Sequence, residues 1–419
     1  MSTHTATGGV MEHRRSRLAG FTIALALVEL TTDIAGAQAA TQAGVPATTV
    51  VAAKVDPAAK VDSGAKTTAA PPAPIPTFFT EIQANAFASF GYTYNTNKPT
   101  SRINGLRVFD SDANTFGVDV AELVLQRTIA KPGETGFRMD LEVGSAIPQK
   151  SQAYGLSVGQ SADLQQAVLS YLAPVGRGLR LDFGKFVTPL GYELIEGYDG
   201  YNDNYSRSFL FNYAIPLTHT GVKASYPFGS AVSAMVMVVN GWDNARDNNS
   251  GKSIGGQLTL VPVAPVSIIM GYIGGPEKPD TNGYFRHTFD LVATWKALDV
   301  LTLAVNGDYG VEKNASLVTP GKDAVWKGIA GYAICGPTNG FSLALRGETF
   351  HDEGGTRLAA GSAATVSEFT LTPSYKLGDH FLVRSDVRFD RANLPLFIKD
   401  ANTATTMQRT ITFNAIFVY

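Results

Sequence analysis

A chain of 419 residues with a formal net charge of −2 has no electrostatic footing on nucleic acid or on an anionic surface. Its mean hydropathy of +0.02 excludes a bundle of apolar membrane helices, but not a barrel whose wet-facing residues dilute the oily ones. The single cysteine, Cys335, can form neither an intramolecular disulfide nor a zinc site, and reads as structural.

The amino terminus carries export features. Arg14, Arg15 and Arg17 precede an apolar run from Leu18 to Leu30, and small residues follow at Ala35-Gly36-Ala37. That run is shorter than the roughly twenty residues a membrane helix needs, so residues 1–37 are expected to be a cleaved signal peptide. Residues 38–77 are mostly Ala, Thr, Val, Lys and Pro and contain no aromatic side chain. Such a stretch cannot bury enough apolar surface to offset chain entropy, and is expected to be a periplasmic tether. A contact with cell wall or a partner protein is its alternative role.

From Phe78 the character changes. Ile82, Ala84, Ala86, Ala88, Phe90, Tyr92 and Tyr94 alternate with Gln83, Asn85, Ser89 and Thr93. Strand-like runs follow at 115–129, 137–144, 163–173, 179–186, 217–226, 231–241, 253–261, 266–274, 286–296, 300–311, 324–334, 341–349, 366–376, 381–390 and 408–419. With the first this makes about sixteen, an even number, each of the length a tilted membrane strand requires. Alternation is clean where Phe137, Met139, Leu141 and Val143 oppose Arg138, Asp140 and Glu142, and again across 381–390. It fails at Ala231 to Val239, apolar on both faces, and slips phase near Ala121, which suggests a bulge.

The connections sort themselves. Short links at 131–136, 174–178, 227–230, 262–265, 296–299, 335–340 and 377–380 alternate with long ones at 95–114, 145–162, 187–216, 242–252, 275–285, 312–323, 350–365 and 391–407. A β-sandwich has no reason to sort its loops this way. A transmembrane antiparallel up-and-down barrel does, with short periplasmic turns and long external loops. The last run, Ile411 to Tyr419, places aromatics at alternate positions and would pair with the first strand, leaving no edge. Tyr92, Tyr94, Tyr171, Tyr226, Trp242, Tyr272, Trp295, Tyr309, Trp326 and Tyr375 lie at strand ends and are expected in interfacial girdles.

Several motifs carry a resemblance. Asn104-Gly105-Leu106-Arg107-Val108-Phe109-Asp110 is followed by Ala121-Glu122-Leu123-Val124-Leu125, GKFVTPLGYE at 184–193, NYSRSFLFNYAIPLTHTGV at 204–222 and VVNGW at 238–242. In order and spacing the segment 78–419 resembles the beta-barrel porin-2 (OmpL-like) family of outer-membrane porins. The resemblance implies an outer-membrane pore and says nothing of the solute.

In general porins the third long loop narrows the channel, its acids facing bases on the wall. Here the third long connection, 187–216, holds Glu193, Glu196, Asp199 and Asp203 against one base, Arg207. Arg138, Arg180, Lys185, Arg384 and Arg388 are the candidate wall bases. The field across such a constriction would select ions by charge, although the same residues could equally be a solvated loop or a salt-bridged wall. Against a catalytic role, His219, His287 and His351 have no serine elbow near them and no metal-ligand spacing.

The expectation is therefore a channel for passive diffusion of small hydrophilic solutes or ions, embedded in outer-membrane lipid and without cofactor or metal. By porin analogy it would be a homotrimer. Two alternatives stand: a non-conducting barrel with a surface or adhesion role, and a secreted soluble β-sandwich binding protein.

Overall fold

A computed structural model describes residues 81–147, 162–338 and 340–419. The expected signal peptide and tether, and most of the second long connection, lie outside the described residues. Eighteen strands run β1 (Gln83–Asn95), β2 (Phe116–Arg127), β3 (Thr135–Val143), β4 (Ala162–Ala173), β5 (Leu179–Val187), β6 (Thr218–Pro227), β7 (Val232–Val239), β8 (Ser253–Val263) and β9 (Val266–Pro276). They continue as β10 (Phe285–Leu298), β11 (Leu301–Glu312), β12 (Ala324–Thr338), β13 (Phe341–Asp352), β14 (Ala364–Leu377), β15 (Phe381–Ala392), β16 (Phe397–Lys399), β17 (Thr403–Thr405) and β18 (Met407–Val418).

All but β16 and β17 form one closed antiparallel barrel of 16 strands, each paired with its chain neighbours. The seam is β1 against β18, with Ala88 opposite Phe417 and Tyr92 opposite Phe413. The two short strands make a small hairpin inside the last long connection, which alternation in so short a segment cannot reveal.

Burial settles which way the oily stripe faces. Phe413 is 60% exposed on the outside, whereas Asp386 is 1% exposed on the inside. Phe183, Val236, Ile329, Phe369 and Phe389 share the outer face, and Arg346, Glu348, Arg384, Arg388 and Asp390 share the buried inner one. A sandwich buries its apolar face and wets its charges; this molecule does the reverse, as a barrel in lipid must.

Two bulges bend the early strands. Ser89 pairs with Val120 and Phe90 with Val118, so Asp119 is the extra residue, two positions before the phase slip at Ala121. Asp119 enters the lumen, where Ser89 Oγ and Asn414 Nδ2 donate to it at 3.2 and 3.1 Å. In β4 the pairing jumps from Asp140–Gln166 to Leu141–Leu164, leaving Gln165 extra and burying both glutamines.

The doubly apolar strand β7 also finds its explanation. Val236 and Val238 are exposed outside, while Met235, Met237 and Val239 turn inward and join one buried cluster with Leu190, Ile215 and Leu217. Those last three lie near the two ends of the third long connection, so β7 needs oil on both faces. The same packing corrects the girdle. Trp242 and Trp326 are buried and stack edge to face at 6.1 Å, and Trp326 Nε1 donates to Ala214 O at 3.0 Å. Indole N–H groups follow their acceptor, and here the acceptor lies inside the barrel. Trp295, Tyr309 and Tyr375 remain exposed on the outer face.

Candidate functional site: the inward-folded third loop

The connection between β5 and β6 does not stand above the barrel. It runs into the lumen and touches strands from β2 round to β15. Its two ends close on each other, Thr188 N–H donating to Leu217 O at 2.8 Å, and Asp243 accepts from the amides of Leu217 and Thr218 at 2.6 and 3.0 Å. Gly191 has φ +90°, and a Cβ there would stand 2.6 Å from Ile215 Cδ1, so only glycine fits this turn.

From there the loop is held by two reciprocal sets of contacts. In one, wall carboxylates accept loop amides. Asp290 takes Gly191 N–H at 3.1 Å and Glu122 takes Tyr198 N–H at 2.6 Å. Asp386 takes the amides of Tyr205 and Ser206 at 3.0 and 2.8 Å, and Glu348 takes those of Phe209 and Leu210. In the other set, loop carboxylates accept wall guanidiniums. Arg346 Nη1 donates to Glu193 at 2.6 Å, and Arg384 Nη2 reaches both oxygens of Glu196 at 2.8 Å. Arg138 Nη1 donates to Asp199 at 2.6 Å. A π-turn, Leu210–Ala214, completes the inner segment, its last carbonyls receiving Trp326 Nε1 and, at 2.7 Å, Arg357 Nε.

The ten residues singled out in the sequence separate by environment. Glu193 and Glu196 are 4% and 3% exposed, sealed between loop and wall. Arg207 is buried with them, 3.5 Å from Glu196. Arg384 joins Glu196, whereas Arg388 pairs with Asp390 at 2.6 Å and donates to Arg207 O at 2.6 Å. Asp199 and Arg138 form the loop-to-wall pair with access to water, their side chains 42% and 20% exposed. Asp203 is half-buried beside Asn202 and Asn204. Arg180 lies away from the loop against Asp182 at 2.9 Å, and Lys185 bonds Asp163 at 2.9 Å.

Arg346, central to the arrangement, escaped the sequence reading, as did its neighbour Glu348. Their signal was present: Arg346 and Glu348 alternate along β13 as Arg384 and Asp386 do along β15. Arg107 also belongs here, bridging Asp110 and Asp390 from the first long loop. Burial pushes the Tyr213 phenol up to about 12. Burial and the neighbouring Arg286 bring the Arg357 guanidinium down to about 10. Arg357 lies over the Trp242 and Trp326 rings at 4.6 and 5.1 Å. Of the histidines, His219 is buried and bonds Thr188 and Gly241 O, whereas His287 and His351 share the outer face of their strands and bond Tyr272 and Thr365.

The sequence from 81 to 419, which builds this barrel and its third loop, is matched by a family model, beta-barrel porin-2, OmpL-like. The chain belongs to that family. Solved structures share the fold at low identity. The anion-selective porin from Comamonas acidovorans aligns at TM-score 0.55 and 11% identity, covering 81% of this chain and 99% of that one. The outer membrane channel DcaP of Acinetobacter baumannii gives 0.56 and 11%, with 81% and 97% covered. OprB of Pseudomonas putida gives 0.54 and 12%, with 82% and 95% covered. No protein of curated function matches the sequence. Family and fold together place this porin in the outer membrane.

Proposed function

We propose that this porin conducts small hydrophilic solutes or ions by passive diffusion, and that its third loop sets the constriction. The observation that supports this reading is the division of labour among the loop's acids. Glu193 and Glu196 are spent on Arg346 and Arg384 and hold the loop in place. Asp199 and Arg138, bonded at 2.6 Å, are the loop-to-wall pair with access to water, a dipole past which a solute would travel. The chemistry asked of the chain is positional and electrostatic, so the reading is of a channel and not of an enzyme. Export by a cleaved signal over 1–37 and assembly as a homotrimer belong to the same proposal. The Comamonas porin is described as anion-selective, but the selectivity here is proposed to follow this chain's own lumen charges.

Planar-bilayer recordings test the proposal. Wild-type protein should give discrete conductance steps, and Asp199→Asn should move the reversal potential toward anions while Arg138→Gln moves it toward cations. An unchanged cation/anion ratio in both variants would remove the constriction assignment. A second reading, a barrel too narrow to conduct and serving the cell surface, is favoured by how tightly the loop's inner half is packed. Complete absence of steps from folded protein would put that reading first.

A further inference from the structure

The outer face of the barrel carries cations at one place on its long-loop rim that the channel does not use. On β15, Phe389 and Arg391 are exposed while Asp390 and Ala392 are buried; on β18, Met407, Arg409 and Ile411 are exposed while Gln408 and Thr410 are buried. Arg391 and Arg409 therefore both point outward. Arg409 lies opposite Phe389 and Arg391 opposite Met407, which makes the two guanidiniums diagonal neighbours on adjacent strands. Like charges so placed repel unless something stands between them.

Two lysines extend the patch. Lys98 follows the end of β1, where Thr96 N–H donates to Arg409 O at 3.0 Å. Lys399 ends β16, and that hairpin is tied to the Lys98 turn by Asp400 N–H to Asn97 O and Thr100 N–H to Asp400 O, each 2.9 Å. All four cations are exposed. Among the described residues no ion pair of a Lys or Arg uses any of these four; the exposed ones that do pair include Arg127 with Glu81, Arg180 with Asp182, Lys252 with Asp247 and Lys327 with Glu353. The outward residues of β14, β15, β18 and β1 include no carboxylate; Asp400, at the hairpin tip, is the acid beside Lys399. Just below lie Phe389, Ile411, Tyr94 and the Tyr92–Phe116 ring pair at 4.4 Å, the level at which aromatics meet the headgroup region.

We propose that this rim binds the phosphate groups of an outer-leaflet glycolipid. Guanidiniums bind phosphate bidentately, and outward-pointing ones at interfacial depth meet headgroups rather than permeating solutes. The number of cations selects the headgroup. A phosphodiester offers one negative charge, whereas two phosphomonoesters carry about three to four at neutral pH.

Full-length porin in nanodiscs of neutral phosphatidylcholine, doped with bisphosphorylated lipid A, its dephosphorylated form or phosphatidylglycerol, tests this by native mass spectrometry. Wild type should retain bisphosphorylated lipid A over the dephosphorylated form. Arg391→Gln/Arg409→Gln should weaken that retention about ten- to a hundredfold, as loss of charged hydrogen bonds does. Arg246→Gln, an exposed arginine on another loop, should leave it unchanged. Heat-modifiable gel mobility checks that each variant folds, and Lys98→Gln/Lys399→Gln gives a second, loop-tip variant that should also bind more weakly. Equal retention of phosphorylated and dephosphorylated lipid, or of lipid A by wild type and both double variants, overturns the proposal. So does a change of oligomeric state with lipid binding intact, which would assign the rim to contact between copies.

Discussion

Replacing Arg384 with glutamine should be among the most damaging single changes in the lumen. Its guanidinium reaches both oxygens of Glu196 at 2.8 Å, Asn414 Oδ1 at 2.9 Å and the carbonyl of Asn202. The two side chains are 1% and 3% exposed, so neither charge leans on water. At an effective dielectric constant of about 20, charges 4 Å apart attract by about 4 kcal/mol. Removing one partner of a buried pair typically costs about 3–5 kcal/mol, because the other charge is stranded. Arg384→Gln and Glu196→Gln are therefore each expected to destabilise the folded barrel by about 3–5 kcal/mol at most, because each leaves its partner some contacts: Glu196 keeps Arg207 at 3.5 Å and the Asn202 amide, and Arg384 keeps Asn414 and the Asn202 carbonyl. The double variant should recover much of the loss. Urea unfolding in lipid micelles, followed by tryptophan emission and by gel mobility, yields the three values and their coupling energy. A cost for Arg384→Gln below about 1 kcal/mol, the level of an exposed pair, would mean that the loop is not held as described.

Gly191→Ala should destabilise by about 1–3 kcal/mol, since φ +90° and a Cβ 2.6 Å from Ile215 are both unfavourable, and should broaden the distribution of single-channel conductances. Trp326→Phe keeps the ring but strands Ala214 O; a loss of about 1–3 kcal/mol with faster trypsin cleavage after Arg207 is expected, and an unchanged cleavage rate would refute the role of the indole. Val236→Asp, on the outer face, should be clearly destabilising in a bilayer, by more than about 1 kcal/mol, whereas Ser225→Asp, opposite Arg180 on the neighbouring inner wall, should cost much less. Equal costs at the two sites would contradict the assignment of faces.

Most of the barrel is visible in the linear pattern because alternation at period two is a local property. Each of the sixteen runs read from the sequence finds its strand, with β2 shifted only by the Asp119 bulge. What alternation cannot supply is which inward residue meets which. Asp386 reads simply as wet-facing and Glu348 draws no notice in the linear pattern, yet each takes two loop amides from residues more than a hundred positions away. Trp242 and Trp326 read as girdle residues because strand ends usually lie at the interface; the carbonyl of Ala214 drew one of them inward. Arg180 and Lys185 resemble pore-wall bases by sign alone, and each finds an acid on its own or a neighbouring strand.

The reciprocal bonding of the third loop has a consequence for biogenesis. Its partners come from β2 and β3 on one side and from β10 to β15 on the other, so most of them do not exist as a surface when the loop itself is made. Docking must wait until the last hairpins have zipped, and until then the segment carries both its acids and its apolar side chains, Phe209 to Phe211 among them, undocked inside a half-built sheet. A lesion in Arg346 or Arg384 should accordingly show itself twice: as a weaker finished barrel, and as a longer stay on the assembly machinery during insertion.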